Sequence, residues 1–221
     1  MILRKIEIEN YGTDTEFSYN LKKRAKHITN YVNRTCLQKI RFQSAEFGII
    51  VIALETSDRE VSVINNGLVI PVIFDQIAYN KLGTENAIRA FYTSSIVCGL
   101  KKVQSQYNIP EMAIIKSLNE FESKEFRNEW LHKRKTEKQR KIEVALNCKL
   151  SIVKFELWLK VSIGGTVVCE QIVLETDPDE VAFEYKFNDI IIDNDTVRVT
   201  KKISGNLLEY SIKNGKLKIC E

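Results

Sequence analysis

The last third of the chain alternates apolar and polar residues, and this period of two constrains the fold more than any other feature. Residues 150–163, LSIVKFELWLKVSI, alternate and end at the pair Gly164–Gly165. Further alternating segments follow, with a second turn signal at Asn214–Gly215. Gly-Gly and Asn-Gly pairs favour tight hairpin turns between neighbouring strands. The pattern predicts an antiparallel β-meander over residues 149–221.

The first 148 residues mix strand and helix periodicity. A short strand is predicted within residues 2–9, and a β-meander within residues 38–74, where Asn65–Gly67 favours a hairpin turn. Between them, the spacing of apolar residues predicts an amphipathic helix with a basic outer face. Its apolar stripe is Phe17, Leu21, Ile28 and Val32, and its basic face is Lys22, Lys23, Arg24, Lys26 and His27.

Two more helices are predicted after the meander. Apolar residues from Ile88 to Tyr107 fall on one helical face, and Pro110 suits the first turn of the next helix. The predicted fold class is therefore α+β, with an N-terminal β-meander packed with about three helices and then a C-terminal antiparallel β-meander. The predicted domains are a mixed α/β domain with basic helices (1–148) and an antiparallel β domain or subdomain (149–221).

The segment from residue 130 to residue 141, WLHKRKTEKQRK, contains six basic residues and one acidic residue. It interrupts the apolar stripe of the last predicted helix, so we expect a helical segment that projects into solvent. A solvated helix arm, a nucleic-acid contact and a contact with an acidic protein are the three interpretations of its charge. The predicted partner-binding residues are Trp130, Lys133, Arg134, Lys135, Lys138, Arg140 and Lys141.

Signals of catalysis and metal binding are sparse. The chain has no phosphate-binding glycine loop, and its two histidines, His27 and His132, are predicted to be exposed. Asp179 and the triplet Glu184–Lys186 share letters with a nuclease signature, but five residues are too few for the intervening hairpin, so we predict a turn and an amphipathic strand. The acidic segment 189–196 lacks the glycine and distal glutamate of a calcium loop, so a polar loop is predicted. No catalytic residue, metal or cofactor is predicted.

The N-terminal residues and the cysteines bear on localisation. The longest apolar runs, 47–54 and 67–74, are far shorter than the roughly 20 residues of a membrane helix. Charges interrupt the first residues where a signal peptide would be apolar. The five cysteines are widely spaced and odd in number, so we expect them to be reduced and to act as small apolar residues. The sequence predicts a cytoplasmic protein, without a membrane partner, in a bacterial or phage genome.

These observations favour binding over catalysis. We expect a non-enzymatic protein that binds another protein, for example a bacterial immunity protein or antitoxin that neutralises a toxin or enzyme. The alternative is a nucleic-acid-binding protein or a metal-dependent nuclease that uses the basic helices.

Overall fold

A computed structural model describes residues 1–12, 14–44 and 46–220. In this described part, helices combine with twelve strands in three four-stranded sheets. The predicted α+β class is confirmed. The chain divides into two compact units, Met1–Arg127 and Asn128–Glu221, each with its own apolar core. The sequence places a boundary near residue 148, and that residue lies inside a strand of the second unit.

The sheet of the first unit has the strand order β1-β2-β4-β3. Its strands are β1 (Lys5–Asn10), β2 (Ile49–Glu55), β3 (Ser62–Ile64) and β4 (Gly67–Ile73). The β3–β4 hairpin predicted at Asn65–Gly67 is present, and Asn65 and Asn66 have φ angles of 47° and 70° there. However, β1, β2 and β4 are parallel, so this sheet is not a meander. Apolar periodicity cannot report strand direction, and the helical crossover between β1 and β2 is the kind of connection that parallel neighbours require.

The helices of this unit supply its core. They are α1 (Thr15–Val32), which continues through a π-helical turn (Asn33–Leu37) into α2 (Gln38–Ile40), then α3 (Gln76–Asn80), α4 (Glu85–Val103) and α5 (Glu111–Ser123). Side chains of Asp14, Asp75 and Thr84 accept hydrogen bonds from the first backbone N–H groups of α1, α3 and α4. The prediction that His27 is exposed is wrong, because its imidazole is buried and contacts the Phe121 ring.

The outer edge of β1 is closed by one side chain. Asn33 lies in the π-helical turn, and its amide accepts a hydrogen bond from the N–H of Ile6 (2.7 Å) and donates one to the carbonyl of Ile6 (3.2 Å). The side chain therefore replaces a neighbouring strand at this point. Such pairing prevents a second chain from adding to the sheet there.

The second unit contains two antiparallel sheets that enclose one core. The first has β5 (Asn128–Glu137), β6 (Ile142–Leu150), β7 (Phe155–Ile163) and β8 (Thr166–Thr176) in chain order. The second has β9 (Ile190–Asp193), β10 (Thr196–Thr200), β11 (Asn206–Ser211) and β12 (Leu217–Ile219). Buried side chains from both sheets, among them Val144, Leu157, Val197 and Tyr210, form a single cluster. The predicted antiparallel C-terminal strands are confirmed.

The basic run is a strand and a turn, so the prediction of a helix is wrong. Trp130 to Glu137 belong to β5, and residues 138–141 form the turn to β6. The missing apolar stripe has a simple cause. β5 is an edge strand of its sheet, and charged side chains, especially lysines, are common on edge strands.

The segment after β8 also differs from its predicted form. Residues 181–187, expected to be an amphipathic strand, begin within a short helix, α6 (Glu180–Phe183). Phe183 and Phe187 are buried, whereas Val181 and Tyr185 are exposed, so the buried residues are four apart rather than two. The rings of Phe183 and Phe187 both lie nearly parallel to that of Phe155, with centroids 3.8 Å and 5.7 Å from it, so a helical turn that buries both replaces the expected strand.

The cysteines form no disulfide, as expected. Cys36 and Cys148 are buried, and burial raises the pKa of the Cys36 thiol. Cys98, expected like the other cysteines to act as a small apolar residue, is exposed. Among the described residues, no helix is long and apolar enough to cross a membrane.

Candidate functional site

The basic side chains of β5 lie against the acidic segment that contains β9. The Lys133 ammonium is 3.4 Å from the Asp189 carboxylate, and the Arg140 guanidinium is 3.4 Å from that of Asp195. The two most unusual charged segments of the sequence therefore neutralise each other in part. The N–H of Ile190 and the Lys133 ammonium together hold the pKa of the Asp189 carboxyl below its usual value.

The same side chains also close the outer edge of β9. Lys135 Nζ donates to the carbonyl oxygen of Ile190 (3.0 Å), and Arg140 Nη1 donates to that of Asn194. His132 Nε2 donates to the carbonyl oxygen of Asn188 (3.1 Å). Acceptors along a strand edge are thus occupied by side-chain donors, which gives the lysines and arginine of this segment a structural role.

The other predicted contact residues are dispersed. Trp130 is half-buried and packs on Phe155 with the ring centroids 6.1 Å apart. Arg134 lies on the opposite face of β5 from Lys133 and Lys135, with its Nε 3.8 Å from Glu143. Lys138 and Lys141 are exposed in the turn. The structure therefore does not bring the seven residues together as one surface.

The residues considered for nuclease or metal chemistry act as a helix cap or form ion pairs. Asp179 caps α6, and Glu184 forms an ion pair with Lys202 at 2.8 Å. In the acidic segment, Asp193 pairs with Arg198 at 2.5 Å. Over the part of the chain that the structure describes, no group of three His, Cys, Asp or Glu side chains is arranged to hold a metal ion.

An open groove of about 640 Å³ crosses the sheet of the first unit. Its floor includes Val51 and Val69, and its rim includes Glu7, Tyr11 and Arg59. The ionic groups of the rim are paired, Arg59 with Glu55 and Glu7 with Lys26. Burial and the neighbouring Glu9 raise the pKa of the Tyr11 hydroxyl. The groove thus presents apolar area, with its charges already engaged.

The outer face of the sheet β5–β8 carries a row of side chains that crosses all four strands. Strand pairing places Leu131 opposite Asn147, Asn147 opposite Trp158, and Trp158 opposite Ile172. Directly opposed residues of neighbouring strands project from the same face, so these four side chains are neighbours. We call them the apolar row, after its three apolar members.

The apolar row is accessible. Leu131 is 47% exposed and Ile172 is 40% exposed, and Trp158 is half-buried. A shallow cavity of about 390 Å³, lined in part by Leu131, Asn147 and Trp158, lies along it. The row therefore offers an indole and two aliphatic side chains next to a depression into which a side chain of another molecule could fit.

Charged residues of both signs border the apolar row. On one side the cross-strand order is Glu129, Lys149, Glu156 and Glu175, and on the other it is Arg134, Ala145, Lys160 and Glu170. Several of these charges form ion pairs on the face, including Lys160 with Glu170 at 3.3 Å. The glutamates of this mixed surface would repel the phosphates of a nucleic acid.

One feature of the sequence indicates that the outer face of this sheet carries an apolar residue. Along β7 the buried phase is Phe155, Leu157, Leu159 and Val161, and Trp158 occupies the alternate, solvent-facing phase. A tryptophan out of phase marks a strand with an apolar residue on its outer face. The cross-strand neighbours Leu131 and Ile172 could not be found in this way, since strand register is a property of the folded sheet. No protein-family model, curated protein or solved structure matches this chain.

Proposed function

We propose that the protein binds another protein through the outer face of the sheet β5–β8. The observation that supports this proposal is the exposed apolar row, with Trp158 between Leu131 and Ile172 and charges of both signs on either side. Exposed aromatic and aliphatic side chains surrounded by a charged rim are typical of binding hot spots.

The partner has a complementary chemistry. It presents an apolar side chain to the cavity beside Trp158, and charged groups that face the bordering residues, a base near Glu129 and an acid near Arg134. The narrower prediction from the sequence, an immunity protein or antitoxin that neutralises a toxin or enzyme, is one case of this proposal. The identity of the bound partner tests that case.

The internal pairing of the basic strand argues for a protein rather than a nucleic acid. Lys133, Lys135 and Arg140 are bonded to the β9 segment. Using them to bind phosphates would require breaking these contacts, which would reduce the gain from counterion release.

The test is affinity capture from the native host with the wild type, Trp158→Ala and Val181→Ser. Val181 is 76% exposed in the same unit but lies on α6, so its variant controls for the loss of any exposed apolar side chain. A partner retained by the wild type and by Val181→Ser is then purified. We expect Trp158→Ala to weaken its binding by about 30-fold, because truncation of a hot-spot tryptophan costs about 2 kcal/mol.

Two outcomes contradict the proposal. In the first, Trp158→Ala binds the purified partner as tightly as Val181→Ser does while both variants keep the wild-type circular dichroism spectrum. In the second, the captured ligand is nucleic acid, its affinity falls steeply with salt, and Arg134→Ala and Lys138→Ala weaken it.

A further inference from the structure

The longest unguarded sheet edge in the second unit is that of β8. Among the described residues of this unit, β8 pairs with β7 on one side only, and it extends over 11 residues. Val167, Val168 and Ile172 are exposed along it. The backbone N–H and C=O groups of such an edge are a template for another strand.

Among the described residues, the other sheet edges are short or in contact with neighbouring groups, and β5, the opposite edge of the same sheet, lies beside the β9 segment, to which its basic side chains bond. Asn33 bonds to the edge of β1, and Lys135 and Arg140 bond to the edge of β9. Lys102 Nζ donates to the carbonyl oxygen of Pro71 on β4 (3.2 Å). The edge strands β3 and β12 have only three residues each. Against this background of side-chain protection, the uncovered length of β8 indicates an edge that is kept available for pairing.

We propose that β8 pairs with β8 of a second copy of this chain, antiparallel about a twofold axis at Gln171. The two four-stranded sheets then form one sheet of eight strands. Pairing of identical edges is isologous, so the assembly closes as a dimer and does not continue into a fibre.

The register follows from symmetry and charge. A twofold axis perpendicular to an antiparallel pair places one residue opposite its own copy. Gln171 is the middle of Thr166–Thr176, so this choice gives the longest overlap of the two strands. It places Glu170 opposite Ile172, and Val167 opposite Glu175, so no glutamate faces a glutamate. An axis at Glu170 or Glu175 would oppose like charges.

The local geometry of β8 agrees with this centre. The bulges of the β7–β8 ladder occur between Leu157 and Trp158 and between Val161 and Ser162, and each would disturb pairing. The segment between them, Cys169–Ile172, is regular and contains the axis. In the dimer, Ile172 and its copy are diagonal neighbours, which joins the two apolar rows. The dimer goes beyond the proposed function and does not depend on it.

The test compares two substitutions at one position in the full chain by sedimentation equilibrium. Ile172→Glu and Ile172→Lys both remove the apolar side chain. In the dimer, residue 172 of each copy lies opposite Glu170 of the other, so the Glu variant creates two repulsive contacts and the Lys variant creates two ion pairs. We expect the wild type to dimerise reversibly, and the dimer of the Glu variant to dissociate about tenfold more readily than that of the Lys variant.

Either of two results overturns the proposal. One is a wild type that stays monomeric up to about 100 µM, a concentration at which even weak specific dimers form. The other is an equal dissociation constant for the Glu and Lys variants, because the register would then be wrong. Trp158→Ala changes a side chain of β7 and none on the pairing edge of β8, so it should dimerise as the wild type does. Loss of partner binding without loss of the dimer would therefore bear on the proposed function alone.

Discussion

Tyr92 shows, at the scale of a single residue, how a polar group is accommodated in the core of the first unit. The side chain is fully buried, and its hydroxyl donates to the carbonyl oxygen of Leu21 at 2.8 Å and accepts from the Tyr79 hydroxyl at 2.8 Å. These bonds connect α1, α3 and α4. Burial, and next the neighbouring Tyr79, hold the pKa of Tyr92 far above its ordinary value of 10.0.

The substitution Tyr92→Phe should lower the free energy of unfolding by about 1–2 kcal/mol near neutral pH, because the buried Leu21 carbonyl and Tyr79 hydroxyl lose a partner. Urea denaturation measures the change. Tyr19→Phe is the matched control, since Tyr19 is 50% exposed on α1, and its effect should stay below about 0.5 kcal/mol.

The penalty should also depend on pH. Because the folded-state pKa of Tyr92 is raised, the stability that this group contributes is present below about pH 10 and is lost as the pH rises further, when only the unfolded state ionises. In Tyr92→Phe there is no hydroxyl at this position to ionise, so the free energy of unfolding of this variant does not fall for this reason. Its penalty should therefore shrink by about 1.4 kcal/mol from about pH 9 to about pH 11. A penalty that grows over this range would contradict the buried, un-ionised hydroxyl.

At the scale of an element, β5 has a different role on each of its two faces. One face directs Lys135 to the β9 edge, where the ammonium meets the Ile190 carbonyl, and the other directs Arg134 to Glu143 at the surface. A hydrogen bond to a partly buried carbonyl contributes more than a solvent-exposed ion pair, which is usually worth less than about 1 kcal/mol.

Two methionine substitutions should separate these roles. Lys135→Met keeps the aliphatic stem but removes the donor to β9, so we expect a loss of about 1 kcal/mol in the free energy of unfolding. Arg134→Met removes an equal charge from the same strand and should cost less than about 0.5 kcal/mol. Chemical denaturation measures both values. Equal losses would mean that the basic residues act only through their net charge.

At the scale of the whole molecule, the chain contains two units with separate apolar cores. The first core gathers side chains from the parallel sheet and the helices, and the second is enclosed by the two antiparallel sheets. The division falls between Arg127 and Asn128. Since a domain folds alone when it keeps its own core, the place of a cut should decide whether its fragments fold.

Two pairs of fragments test the boundary. Residues 1–127 and 128–221, expressed separately, should each give dispersed amide proton spectra and cooperative thermal unfolding. Residues 1–148 and 149–221 should fail, because that cut separates β5 and most of β6 from β7 and leaves apolar residues such as Leu157 and Val161 uncovered. Folded fragments from the second pair alone would place the boundary where the sequence predicts it.

The sequence by itself determined the class of the fold. A strand or helix that buries one face repeats apolar residues with its own structural period, and this repeat can be read from the chain. The period of two predicts β7, β8, β10, β11 and β12 of the second unit, and the helical period predicts α1, α4 and α5, whereas the sequence predicts β5 and β6 to be helical and the segment of β9 to be a loop. The turn signals at Asn65–Gly67 and Gly164–Gly165 are correct, since positive φ angles favour these residue types.

Only the tertiary structure decided how these elements meet. The parallel pairing in the first sheet, the contact of Lys133 with Asp189, and the apolar row across four strands join residues far apart in the chain. Periodicity reports whether a side chain is buried, but it does not report what buries it. The basic run is an example. Its lysines and arginines have few acidic neighbours in the sequence, but in the folded chain they bond to the acidic segment that contains β9, more than 50 residues later.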